Sequence, residues 1–350
     1  MAGAGYRTFA SGEVLTSTNV QTYLMDQAVQ VYSGTAARSS AVPSPSTGMV
    51  AYATATGLQV FNGSAWTSVG GASYATISGG ASTALGTAIG GSTYNVYTFS
   101  SDANLVCTTA GLVEVLLVGG GGGAGFAETN YGGGGGGGGG AVTSPTNFIT
   151  LYLNAGTAAI DVGAGGATGA SAPFHGVNGS ESKIGSILSV AGGGGGGTSD
   201  GQNTKAAQNG ASGGGSPGTE AANQGISTNP LYGNQGGTGQ TRDLGSTGAP
   251  GGGGGAGGVG GNAVSTTGGS GGNGLDISGF IGGSTYYAGA GGGGGAGTGS
   301  GGAAGNGGVA GKSSGTGNAG VNYGAGGGGS RSAAGGAGAA GVVYVRVKTS

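Results

Sequence analysis

Glycine comes in this chain as solid blocks: Gly119–Gly123, Gly132–Gly140, Gly192–Gly197, Gly251–Gly255, Gly291–Gly295 and Gly326–Gly329. From Gly119 to Gly341 there are 85 glycines in 223 residues. Such density removes the side chains that would mark a helix stripe or a strand face. Glycine also loses more backbone freedom on folding than any other residue, so the ordinary outcome is a flexible tether. The blocks are separated, however, by varied segments carrying Phe, Tyr, His, Asn and single charges. A tether has no use for these, whereas a rigid scaffold that presents loops does. Leu, Ile, Val and Phe are too sparse for a large core, so order has to come mainly from backbone hydrogen bonding.

Three ordered glycine-rich forms compete. Collagen needs glycine at every third position with abundant proline, and the chain has only seven prolines and no such period. Silk-like sheets need side chains to set their register, and Gly132–Gly140 has none. A polyproline II helix has three residues per turn and no internal hydrogen bonds, so glycine-faced helices can pack closely and bond sideways. Nine residues such as 132–140 then span about 28 Å at ~3.1 Å per residue. The expected fold class is mostly β and irregular. It has a short N-terminal helix, small β modules, then a glycine-rich bundle of polyproline II (polyglycine II-like) helices closed by a C-terminal strand. Mixed runs such as Gly297–Gly305 belong on the bundle surface, and the varied segments form turns at its two ends.

Five regions follow along the chain. Residues 1–35 hold an attachment segment, with Thr18 and Gln21 spaced as a capping box and a short amphipathic helix expected over about Asn19–Val31. Residues 36–70 read as a small β-hairpin module. Met49–Ala53 and Leu58–Phe61 flank the turn Thr54–Gly57, and Asn62-Gly63 separates Leu58–Phe61 from Ala65–Val69. Trp66 would cover one face of this meander. Residues 71–118 become β-rich, with strands at Tyr94–Phe99, Asn104–Thr108 and Leu112–Val118. Residues 119–341 are the glycine domain, and 342–350 carry the closing strand Val342–Val347. The glycine blocks begin right after Val118 and stop just before Val342, which predicts Leu112–Val118 beside Val342–Val347 in one sheet.

Only 6% of residues are charged and the formal net charge is −2, which leaves no electrostatic footprint for nucleic acid or an anionic membrane. The longest strongly apolar run, Leu112–Val118, is interrupted by Glu114 and is too short to span a bilayer. Met1–Arg7 lacks a charged start followed by an apolar core, so a soluble chain without a secretory signal or membrane insertion is expected. Cys107 is the single cysteine, excludes an intrachain disulfide, and reads as a buried structural thiol.

The chemical motifs do not hold up. Val118 followed by Gly119–Ala124 matches the dinucleotide fingerprint formally, but residues 125–131 lead into nine glycines instead of the helix that binds pyrophosphate. Gly271-Gly-Asn-Gly-Leu-Asp276 resembles part of a calcium β-roll repeat, yet it occurs once. His175 is the only histidine, and Asp102, Glu114, Asp161, Glu181, Asp200, Glu220, Asp243 and Asp276 are dispersed without a pairing distance. The reading is of a protein that is not an enzyme, with no catalytic residues, metal or cofactor.

Phe9-Ala-Ser-Gly-Glu-Val-Leu-Thr16 with Val20-Gln-Thr-Tyr-Leu-Met-Asp-Gln-Ala28 resembles the start of bacteriophage minor tail proteins, especially of phages infecting actinobacteria. Pro45-Ser-Thr-Gly-Met-Val-Ala-Tyr52 through Val60-Phe-Asn-Gly-Ser-Ala-Trp66 resembles a small β module of phage tail proteins. Asn95-Val-Tyr-Thr-Phe99, Val115-Leu-Leu-Val-Gly-Gly-Gly121 and Gly341-Val-Val-Tyr-Val-Arg346 resemble the opening and closing strands of a glycine-rich domain of tail fibres and adhesins. The resemblance implies a virion protein of the tail tip or fibre, a homotrimer. Its N-terminus would bind other tail proteins and its loops a host cell-surface glycan or protein.

Aromatic residues between the blocks are the candidate receptor contacts, because Tyr and Phe stack on sugars and anchor interfaces at low entropic cost. They are Phe126, Tyr131, Phe174, Tyr232, Phe280, Tyr286, Tyr287 and Tyr323, with His175 beside Phe174. The same aromatics could instead cover the bundle edge. The competing functions are a stiff structural spacer of the tail tip, a bacterial glycine-rich surface or ice-binding protein, and a depolymerase, which the scattered carboxylates disfavour.

Overall fold

The computed structural model describes residues 10–20, 29–54, 56–69, 73–126, 148–169, 175–199, 204–218, 224–228, 232–240 and 248–349. The chain divides into two compact units, Met1–Ser73 and Tyr74–Ser350.

The first unit holds α1 (Ser17–Val20), β1 (Gln30–Tyr32), α2 (Thr35–Ala41), β2 (Val50–Ala53), β3 (Gly57–Phe61) and β4 (Trp66–Ser68). The strands form one sheet in the order β1-β2-β3-β4. The expected turn at Thr54–Gly57 closes the β2–β3 hairpin, with Gly57 at φ +73°. Asn62-Gly63 closes β3–β4 as part of a four-residue loop, in which the Asn62 side chain accepts the N–H groups of Ser64 and Ala65. Trp66 lies beside Phe61, and the buried Arg38 of α2 stacks on its ring at 4.6 Å while donating to Gln59. The expected helix over Asn19–Val31 is corrected at its C-terminal end. Residues 21–28 lie outside the described residues, and Val31 is in a strand, paired parallel with Tyr52. Its side chain is 72% exposed, so no core stripe holds it helical, and pairing with β2 satisfies the backbone instead.

The second unit contains β5 (Thr76–Ser78), β6 (Ser82–Ile89), β7 (Ser92–Phe99), β8 (Ala103–Thr109), β9 (Gly111–Val118), β10 (Ile149–Leu153), β11 (Gly156–Asp161), β12 (Ser182–Ile184) and β13 (Leu188–Val190). Further along come β14 (Thr198–Ser199), β15 (Thr204–Lys205), β16 (Leu275–Asp276), α3 (Ser278–Ile281), β17 (Tyr287–Ala288) and β18 (Val342–Lys348). Two antiparallel five-stranded sheets form, β10-β9-β18-β7-β6 and β13-β12-β11-β8-β5. The expected pairing of the opening and closing strands is present, with Val342 opposite Val118 and Arg346 opposite Glu114.

Alternation along β9 and β18 sorts side chains between two cores. Val113, Val115, Leu117, Val343, Val345 and Val347 join a cluster with Leu105, Cys107, Ile160 and Ile184 of the second sheet. Leu116, Val118, Val342 and Tyr344 face the other way, against Ile277, Phe280 and Ala288. The sheet carrying β9 and β18 is therefore covered on both faces, which is why these strands read as continuous apolar runs.

Beyond Val118 the chain continues into segment 119–125, whose backbone bonds to five other segments, to four of them at intervals of three residues. Gly120 and Gly123 donate to Ser180 and Val177, and accept from Gly193 and Gly196. Gly121 and Ala124 donate to Ala339 and Gly336, and accept from Gly166 and Gly169. Gly122 accepts from Gly327. None of these segments is a strand. A Cβ on Gly120, Gly121, Gly122 or Gly123 would lie 2.1, 2.2, 2.2 or 2.0 Å from the carbonyl oxygen of Ala164, Ala325, Gly194 or Ala167. No described glycine of the blocks 119–123, 192–197, 251–255, 291–295 or 326–329 is in the left-handed region. Glycine is required there for lateral approach, not for backbone conformation.

The register of these bonds gives the path. Segments 119–125, 163–169, 192–197, 289–297 and 324–330 run away from the sheets, whereas 176–180, 268–274, 299–306 and 334–341 return toward them.

A substitution inside this array has a clear expected cost. The Cβ of Gly166→Ala would sit 2.0 Å from the Val177 carbonyl oxygen and 2.8 Å from the Gly123 nitrogen. Gly166→Ala should lower stability by about 3 kcal/mol in chemical denaturation, the upper part of the overpacking range. Ala164→Ser, on the exposed side of the same segment, should stay within about 0.5 kcal/mol.

Candidate functional site

The aromatic candidates divide between the two ends of the glycine array. Tyr232, Phe280, Tyr286, Tyr287 and Tyr323 are at the sheet end, and Phe126 and His175 are at the far end. Tyr131 and Phe174 lie outside the described residues.

At the sheet end an ion pair organises the aromatics. Arg346 and Glu114 are cross-strand partners on β18 and β9, and the Arg346 Nε donates to the Glu114 carboxylate at 2.6 Å. Arg346 is 3% exposed. Its guanidinium lies 4.3 Å from the Tyr94 ring centre, 4.2 Å from that of Phe148 and 4.4 Å from that of Phe280. It also donates to the carbonyls of Gly279 and Phe280 at 3.1 and 2.8 Å, which ties α3 to β18. A planar cation with several donors can satisfy a carboxylate, two carbonyls and three ring faces at once, which a lysine could not.

Phe280 is wholly buried in this cluster, edge-on to Phe148 at 5.1 Å, so its side chain meets a partner only if α3 moves. Tyr286 and Tyr323 are half-buried, with ring centres 6.2 Å apart, and Tyr323 meets Tyr344 at 6.5 Å. Burial raises the Tyr286 phenol above its usual range. Burial raises that of Tyr344 further, with the neighbouring phenols of Tyr323 and Tyr286 adding to it. Tyr287 is half-buried on β17, where it pairs with Asp276.

The Gly271–Asp276 motif resolves structurally. Asp276 accepts the backbone N–H groups of Ser278 and Tyr286 at 2.9 and 3.3 Å, and the Ser278 bond is the main reason its carboxyl is held below the usual range. The carboxylate closes the α3 loop. Among the described residues no three His, Cys, Asp or Glu side chains converge as a metal site, and no helix is long and apolar enough to cross a membrane. Cys107 is buried between the two sheets. A cavity of about 350 Å³ beside it is lined by Leu105, Tyr152, Leu153, Thr157 and Ile187.

At the far end, Phe126 accepts the Thr198 hydroxyl at its carbonyl, and the His175 Nδ1 lies 3.0 Å from the Gly176 carbonyl oxygen. Both residues are half-buried. Polar turns share this end, including 264–267, where Val264 and Thr267 pair, and 313–316, to which the Ser330 hydroxyl bonds. Lys205 and Lys312 are exposed on its rim.

Sequence reasoning missed Arg346, although the signal was present. One arginine in an apolar strand and one glutamate in another share a face once the strands pair. It also missed a set of asparagines. Asn178, Asn209, Asn262 and Asn273 each accept, through Oδ1, a backbone N–H of a neighbouring segment: Gly195, Ile226, Thr238 and Asn306, at 2.8–2.9 Å. An asparagine on an outer segment thus completes the ladder where no carbonyl is presented.

A family model described as a glycine-rich domain matches residues 98–348, well over half of the chain, and the chain belongs to that family. No curated protein matches the chain.

The tyrosine cluster sets an expected alkaline response. Because burial in the folded state raises the Tyr344 phenol above its ordinary value of 10.0, it favours the neutral form. That contribution is fully present below pH 10 and is lost as pH rises above it, where the unfolded chain ionises first. Tyr344→Phe should flatten the alkaline limb of a thermal-midpoint profile between pH 9 and 11.5, at about the ring-stacking stability of the native side chain.

Proposed function

We propose that this glycine-rich domain protein is a non-enzymatic surface-recognition protein of a phage tail tip or fibre, whose rigid scaffold presents loops to a host cell-surface glycan or protein. The observation that carries the proposal is the three-residue periodic exchange of backbone bonds between segment 119–125 and four of its five neighbours. That exchange supports reading the segments as a bundle of polyproline II (polyglycine II-like) helices. Such helices have three residues per turn and no internal bonds, so every N–H and C=O is offered sideways. A bundle held this way fixes the turns at its ends before any partner arrives, which lowers the ordering cost of binding.

In this reading the far end is the presented one, since the sheet end is occupied by its own core and by the strands that lead into it. Phe126 and His175, with the polar turns around them, are the contact residues, and Tyr232, Tyr287 and Tyr323 flank the opposite end. The N-terminal segment 1–35 attaches to other tail proteins, and three copies assemble as a homotrimer in the virion. The sequence resemblance supports these assignments.

A second reading is favoured by one observation. Phe280, Tyr286 and Tyr323 pack into the cluster around Tyr344 and Arg346, as aromatics with a purely structural task would. A spacer of the tail tip would use them so, and would carry no receptor contact.

Adsorption separates the two. Purified full-length protein carrying Phe126→Ala, His175→Ala, Lys205→Ala and Lys312→Ala should lose at least tenfold in binding to actinobacterial cells that retain the wild-type protein, with its thermal midpoint preserved. Unchanged binding by that variant contradicts presentation at the far end and supports the spacer.

A further inference from the structure

Five segments, 206–211, 224–228, 233–240, 259–263 and 268–274, lie side by side along one flank of the glycine array. Their adjacency is given by backbone bonds from Thr228 to Gly210, Gly236 to Gly225, Gly260 to Gln235 and Gly261 to Ser270. The chemistry of this flank is distinctive: none of these residues is Asp, Glu, Lys or Arg. Exposed amides stand on four of the five segments or their ends, at Asn209, Gln235, Gln240, Asn262 and Asn273. The opposite flank, built from 163–169, 317–321 and 334–341, exposes Ala164, Ala167, Ala319, Val321 and Ala340 instead.

The amides are also oriented. The oxygens of Asn209, Asn262 and Asn273 are committed to the N–H groups of Ile226, Thr238 and Asn306, and that of Gln240 to Ser265. An amide whose oxygen accepts a backbone N–H has its NH₂ group left to donate, with the rotamer fixed. Among the described residues, no hydrogen bond is formed by the Nδ2 of Asn209, Asn262 or Asn273, and all three side chains are exposed. Exposed Ile226 and Val259 lie among them, 55% and 60% accessible.

We infer that this flank is a binding surface for neutral, hydroxyl-rich polysaccharide. Fixed amide donors match sugar hydroxyl and ring oxygens, and the aliphatic residues match the C–H faces of the sugar rings. The absence of charge on the flank leaves a phosphorylated or carboxylated polymer without a counter-charge. Because the donors are held by the backbone ladder itself, little rotamer entropy is lost when a sugar binds. The inference concerns the side of the array and does not need its end loops to be the recognition site.

Asparagine to aspartate is the informative substitution, because an ionised carboxylate keeps the acceptor for the backbone N–H and removes the donor. Binding of full-length protein to immobilised dextran, amylose and galactan should be detected for the wild type. The triple variant Asn209→Asp, Asn262→Asp, Asn273→Asp should bind at least tenfold more weakly. Ala164→Asp, Ala167→Asp, Ala319→Asp adds the same charge to the opposite flank and should bind as the wild type does. If the first variant fails to fold, side-chain NH₂ resonances of Asn209, Asn262 and Asn273 in the wild type should shift on adding the bound polysaccharide. Equal binding by both variants, unmoved NH₂ resonances, or no wild-type binding to any of the three polymers overturns the inference. Loss of polysaccharide binding only in the far-end variant would also overturn it while leaving host recognition by the loops standing.

Discussion

Everything in the second unit depends on lateral exchange of backbone N–H and C=O groups between chain segments that carry almost no side chains. In an ordinary domain the apolar core repays the entropy of ordering the backbone. Here the core is confined to the two sheets and the α3 loop, and the array beyond Val118 is built from carbonyls packed against glycine Cα atoms. A single methyl group at any of Gly120 through Gly123 would strike a carbonyl of one of three neighbouring segments. The glycine blocks are therefore as tightly specified as a hydrophobic core, by approach distance instead of by shape.

Such an array has little to set its register from within. The sheets supply it. β9 and β18 enter the array side by side with Val118 opposite Val342, and segments 119–125 and 334–341 carry that pairing onward through the bonds of Gly121 to Ala339 and Ala124 to Gly336. The Arg346–Glu114 pair then locks the α3 loop onto the same two strands. Asparagines act at the outer segments, each replacing a missing carbonyl. Register is imposed at one end by an ordinary β core and kept along the array by period-three bonding.

The sequence carried the strands well, because alternation and turn chemistry are local signals. Tyr94–Phe99, Leu112–Val118 and Val342–Val347 emerge as strands, and the pairing of the last two followed from where glycine starts and stops. The expectation for Asn19–Val31 went wrong at Val31 because a helical spacing of apolar residues does not reveal that a strand from residues 50–53 will pair there. β10 to β13 were missed for another reason: they are runs of three to six residues, and β10 and β11 take their places from β9 and β8, distant in sequence, while β13 pairs only with β12. Aromatics between glycine blocks looked alike in the sequence, yet Phe280 is core and Phe126 is at the far end. Which end of the array a turn occupies depends on how many segments precede it, and this no local pattern encodes.

Amide hydrogen exchange over segments 119–125, 192–197, 251–255 and 324–330 of the full-length protein tests the central claim most directly. An array held by exchanged backbone bonds predicts protection of about a thousandfold or more, rising and falling together with β9 and β18. Exchange of these glycines at random-coil rates, while the sheet amides stay protected, would contradict it.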